Sequence, residues 1–85
     1  MNDPIELRKK IRAALALRPR YEFTEIQHFE AVQRLCVPPE LDLEEFLRAR
    51  EWNHEKNFIE YRLDEDLERD VWSLTDQGKL KEGVK

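Results

Sequence analysis

The sequence predicts a small α+β domain, a three-helix cluster followed by a two-stranded β-hairpin. Three features carry that expectation. Three helix-start signals occur in succession, each opening an apolar stripe of helical spacing. Prolines separate the stripes, at Pro19 and at Pro38–Pro39. After Asn57 the apolar spacing changes from 3.6 to 2. The expected helices span about 4–17, 25–36 and 43–53, with a hairpin over about 58–75 and a short tail over 76–85, all in one domain of 85 residues.

The first helix opens at Asp3, with Pro4 at a favourable first position and Glu6 placed as in a capping box. Leu7, Ile11, Ala14 and Leu15 then share one face, leaving Arg8, Lys9 and Arg12 towards solvent. Pro19 disfavours the α conformation at Arg18 and ends the helix. Thr24 and Gln27 form a second capping box ahead of a stripe made by Ile26, Phe29, Val32, Leu35 and Cys36. Asp42 and Glu45 form a third, with Leu41 and Phe46 at the two positions of a hydrophobic staple and Leu43, Phe46 and Leu47 expected inward. Asn53 and Asn57 favour a turn at the end of this helix.

In "FIEYRLD", Ile59, Tyr61 and Leu63 alternate with Phe58, Glu60 and Arg62. In "DVWSLT", Trp72 and Leu74 form the expected core face. No Asn-Gly or Asp-Gly pair joins the two runs, so the tip is expected to hold four residues or more. That tip, "DEDLERD", carries five acids and one arginine.

A chain of this length buries only about 60–65% of the surface it would expose unfolded, which calls for a small, ordered core. Apolar and charged residues each make up 40% of the sequence, and the regular apolar spacing argues for a folded domain. No apolar run is long enough for a membrane span and "MNDPIELRKK" has no hydrophobic signal core, so a cytoplasmic location is expected. Cys36 is the only cysteine, and its apolar neighbours predict a buried thiol.

The net charge of −4 is unevenly placed. Residues 1–20 hold six basic and two acidic side chains, residues 21–60 four and ten, and residues 61–85 five and seven. A nucleic-acid binder is expected to lean basic, because phosphate neutralisation supplies much of its affinity. This chain leans basic only at its N-terminus.

Catalytic chemistry finds little to work with. His28 and His54 are far apart in sequence, lack a metal-binding spacing, and are expected to be partly exposed helix residues. Cys36 lies on an apolar stripe, where a thiol tends to be inert. Gly78 and Gly83 are the only glycines, so no phosphate-cradling loop can form. No enzyme activity and no cofactor are expected.

The order helix, helix, helix, hairpin, closed by "SLTDQG" with Leu74, Thr75 and Gly78, resembles the winged helix-turn-helix superfamily. More narrowly, "LRPRYEFTE" with the later "LTDQGKLKEG" is similar to small winged-helix proteins of Mu-like transposable phages. Two departures stand out: the long "CVPPELD" turn before the third helix, and the glutamates that open that helix. The resemblance implies a non-enzymatic regulatory protein, phage or bacterial, whose third helix and wing are the contact elements.

Two partner classes follow. A protein with a basic surface would meet the wing acids Asp64, Glu65, Asp66, Glu68 and Asp70 together with Glu44, Glu45 and Trp52. Duplex DNA would instead be met by Arg48 and Arg50 on the third helix, where Asn53 is also expected outward, with the N-terminal cations Arg8, Lys9, Lys10 and Arg12. A homodimer could place two N-terminal patches on one side for that purpose. Each acid near phosphate costs of order 1 kcal/mol, so the protein partner is the favoured expectation. Each feature also has a plainer reading: the N-terminal cations as the solvated face of a helix, Trp52 as a cap on the core, and the acidic tip as a soluble loop that resists edge pairing.

Overall fold

The computed structural model describes residues 2–84 and is α+β, with four helices and one three-stranded antiparallel sheet. In chain order these are α1 (Pro4–Ala16), β1 (Phe23–Thr24), α2 (Glu25–Leu35), α3 (Leu43–Glu55), β2 (Ile59–Asp64), β3 (Arg69–Leu74) and α4 (Asp76–Lys81). The bounds of α1, α2, α3 and the hairpin lie within two residues of the sequence expectation, and the expected short tail holds a further helix, α4. The sheet does not match it: β1 joins the hairpin, giving the order β1-β3-β2 with Phe23 opposite Trp72. A two-residue strand carries too little alternation to be read from sequence.

The helix starts follow the capping chemistry unevenly. Thr24 and Gln27 close a capping box in both directions. Asp3 instead accepts from the Ile5 N–H at 2.9 Å, and Asp42 accepts from the Glu45 N–H at 3.2 Å while the Glu45 carboxylate turns to the Asn2 N–H. At the end of α3, Asn57 takes a left-handed backbone (φ 63°), which asparagine tolerates. The Phe58 N–H bonds the Asn53 carbonyl and the Asn57 N–H bonds the His54 carbonyl, the paired bonds of a Schellman ending. Phe58 then stacks 6.1 Å from Trp52.

The core is one cluster that includes Leu7, Ile11, Leu15, Val32, Phe46, Ile59, Trp72 and Leu74. Leu41 packs against it as a staple should. Three expectations of outward placement are corrected by burial. His28 is fully buried, its Nε2 3.1 Å from the Ile11 carbonyl and its ring edge-on to Phe46 at 5.2 Å. Burial holds its pKa down at about 4, so the imidazole is neutral, and Nδ1 has no hydrogen-bond partner among the described residues. Arg12 and Asn53 are buried as well. Arg12 donates to Asn53 Oδ1 at 2.9 Å and to Glu82 Oε2 at 3.3 Å, while Asn53 donates to the Arg8 and Ala49 carbonyls. A buried guanidinium is tolerable here because carboxylate and amide oxygens meet it. Leu43 and Ile26, expected inward, are exposed at the edges of their stripes.

Strand β3 leads into α4 through a tight joint. Thr75 caps α4 by accepting the Gly78 N–H at 3.0 Å and donates its hydroxyl to the Asn57 carbonyl at 2.6 Å. Gly78 lies so close to the α3–β2 turn that a Cβ there would sit 1.9 Å from the Phe58 carbonyl oxygen. Leucine, threonine and glycine in "LTDQG" are therefore a core anchor, a cap and a close approach.

Candidate interaction surface

The hairpin turns through Glu65–Glu68, four residues, in line with the expected length. Asp64 is partly consumed by the turn itself, its Oδ1 accepting the N–H groups of Asp66 and Leu67 at 3.0 and 3.1 Å. Glu68 takes the left-handed backbone needed to re-enter β3 (φ 54°). Glu65, Asp66, Glu68 and Asp70 remain exposed. The tip is thus a fixed turn with four carboxylates displayed around it, and Leu67, half exposed, among them.

Behind the tip the two faces of the sheet differ. On one, Arg62 reaches from β2 to Glu22, just ahead of β1, with two 2.6 Å bonds, bracketing the outer strands across Val71 of the central one. The hydrogen bonds from Arg62 lower the Glu22 pKa, and those same bonds raise that of Arg62. On the other face an aromatic ladder runs from α3 to the sheet edge. Arg50 lies over Trp72 at 4.1 Å, Tyr61 stacks on Trp72 at 4.7 Å, and His54 meets Tyr61 at 5.3 Å. Trp72 and Ile59 are buried beneath α3, whereas Tyr61 and Leu63 are 50% and 59% exposed. Alternation gave their face correctly, but α3 lies over Trp72 of the central strand and leaves these two outer-strand side chains half exposed.

The remaining acids of the expected protein-contact set divide. Glu44 is exposed at the start of α3 and pairs with Arg48 at 3.4 Å. Glu45 is half-buried against the Asn2 N–H. Trp52 is half-buried between Arg8, at 4.7 Å from its ring centre, and Lys56, at 5.7 Å. It lies over the joint between α3 and β2, and the acidic tip is on a different element.

The expected DNA-contacting cations do not form a free patch. Lys9 pairs with Glu6 at 3.3 Å and Arg50 with Glu25 at 2.9 Å. Arg12 is in the core, and Arg18 lies over Tyr21 in the loop after α1. Arg8 and Arg48 do share a cavity of about 240 Å³ between α1 and α3, with Glu45 in its wall. Lys10 is half-buried on α1. A second cleft, of about 310 Å³, runs between the start of α2, α3 and the hairpin, and its walls alternate Glu25, Glu68 and Asp70 with Arg50 and Arg69 over Trp72. Sequence reasoning missed Glu22, Glu25 and Glu82 as the residues that engage Arg62, Arg50 and Arg12, because each pair is separated by at least 25 positions.

Among the described residues, no three His, Cys, Asp or Glu side chains converge on a point where a metal ion could be held, and no helix is long and apolar enough to cross a membrane. Compared with known proteins, the chain matches no family model, no curated protein and no solved structure.

Proposed function

We propose that this chain is a small, non-enzymatic winged-helix regulatory protein that acts by protein contact through its acidic hairpin. The element order helix, strand, helix, helix, hairpin supports the winged-helix reading. One observation carries the functional half. On the helix and the hairpin that would read nucleic acid, the cations Arg48, Arg50 and Arg62 are already met by Glu44, Glu25 and Glu22. Phosphates would have to displace those carboxylates and approach a tip that displays Glu65, Asp66, Glu68 and Asp70. A basic protein surface meets no such opposition, and the exposed Tyr61, Leu63 and Leu67 offer it apolar contact.

The second reading, duplex DNA, is favoured by the cavity that Arg8 and Arg48 share. Duplex affinity measured at low and at moderate salt separates the two. Protein contact predicts no binding even at low salt. Tight binding with a steep negative salt slope, weakened by Arg8→Ala and Arg48→Ala, would overturn it.

A further inference from the structure

The outer edge of β2 is unpaired among the described residues. In the sheet order β1-β3-β2, β2 pairs on one side only, and four successive residues, Glu60 to Leu63, are exposed. The direction of its free hydrogen-bonding groups follows from the hairpin register. The Thr75 N–H donates to the Phe58 carbonyl at 3.1 Å, one step beyond the Ile59–Leu74 pair. Alternation then turns the amide groups of Glu60 and Arg62 towards β3, and those of Ile59, Tyr61 and Leu63 towards the open edge.

We infer that two copies of this chain associate by antiparallel pairing of their β2 edges about a two-fold axis at Tyr61. In that register Tyr61 faces Tyr61 of the second copy, and Ile59 faces Leu63. All three are residues whose N–H and C=O point outward, so the ladder closes with every edge group in phase. Glu60 falls opposite Arg62 in both halves, at the close, non-hydrogen-bonded positions, where it adds a second carboxylate to a guanidinium that Glu22 already engages within its own chain. A shift by one residue would set outward-facing groups against inward-facing ones. A shift by two in either direction loses the reciprocal Glu60–Arg62 match. The result is a continuous six-stranded sheet with the exposed Tyr61 and Leu63 packed across its centre.

The pairing also places the acidic tip. The register brings Asp64, at the end of β2, level with Phe58 of the second copy, so the acidic turn lies beside that copy's α3–β2 turn. Lys56 is exposed there, and the Lys81 ammonium lies 5.1 Å from the Phe58 ring centre. Lys56 and Lys81, at the hairpin base of the same protein, are then the cations offered to the hairpin acids. This inference rests on the protein-contact reading above and names its partner.

The test is the mass of the full chain in solution, by sedimentation equilibrium from micromolar to submillimolar concentration, with circular dichroism to verify folding. The wild-type chain is expected to dimerise. Glu60→Arg places arginines opposite arginines, Arg62→Glu places glutamates opposite glutamates, and each is expected to raise the dimer dissociation constant about tenfold or more. Mixing the two variants restores both opposite-charge pairs, so a heterodimer is expected to form where neither variant self-associates. A wild-type chain that stays monomeric throughout, single variants as dimeric as wild type, or a mixture no better than its components would overturn the pairing.

Should Arg62→Glu fail to fold for want of its Glu22 bond, Tyr61→Pro takes its place. It deletes an outward N–H while leaving the β3 ladder whole, and a folded, dimeric Tyr61→Pro chain would equally overturn the proposal. Duplex titration of the same wild-type sample keeps the two readings apart: a monomer that ignores DNA fails the pairing alone, whereas salt-steep DNA binding fails the protein-contact reading.

Discussion

The base and the distal half of the hairpin are written in the same alternating pattern and have opposite fates. At the base, Ile59 and Leu74 stand opposite each other, both buried, with Thr75 and Gly78 tying the strand to the α3–β2 turn. Two and four residues further along β2, Tyr61 and Leu63 occupy the same face and are half exposed. The difference is coverage. Helix α3 leads into the base through residues 56–58, and its Arg50 and His54 lie against Trp72 while Tyr61 and Leu63 on the outer strand stay half exposed. Apolar alternation therefore specifies a face, and only the neighbouring element decides whether that face becomes core or contact surface.

The sharpest way to break the comparison is to disturb the base. Gly78→Ala forces a Cβ against the Phe58 carbonyl, backbone against backbone, and is expected to cost about 3 kcal/mol or more in denaturant unfolding. His28 gives an effect of similar size without mutation. Its pKa is held below the ordinary value of 6.5, at about 4, because the charged form cannot be buried. The neutral imidazole's contribution is whole above pH 6.5 and is lost as pH falls through 4, for a total of about 3 kcal/mol. Urea titrations at pH 7.5, 5.5 and 4 read that decline, and a His28→Leu chain should lack this part of it.

Asn53→Ala removes one of the acceptors that hold buried Arg12 and should cost about 2 kcal/mol, seen as a lower thermal midpoint. The distal half should respond weakly. Leu67→Ser at the exposed turn is expected to change stability by less than about 0.5 kcal/mol. Glu68→Gly is expected to raise it by about 0.5 kcal/mol, since relief at a positive φ slightly outweighs the added freedom of the unfolded chain. A tip that proved as sensitive as the base would remove the distinction between them.

Much of the fold was legible because its signals are local. Asp3, Thr24 and Asp42 cap the helices they were expected to cap, and Trp72 and Leu74 face the core. What escaped was long-range. Phe23–Thr24 becomes a strand only because β3 is there to pair with it. Arg12 and Asn53 read as solvent-facing by helical phase, yet two helices and the segment after α4 close over them. The candidate surface was half legible: the acids of the tip are where the sequence put them, but the cations that would compete with them are neutralised by carboxylates that only folding brings near. A charge count by segment sees the first and cannot see the second.

Cys36 gives the molecule a built-in clock. It is the only thiol in the chain, 2% exposed at the end of α2, and it donates to the Val32 carbonyl at 3.4 Å. A thiol reagent can reach it only when that end of the helix lifts from the core, so the rate of labelling reports how often that end stands open. An untagged, unmodified chain thus reports its own local breathing. A dye intended for the hairpin must first be denied this site, by Cys36→Ser, or the slowest label will mark the interior.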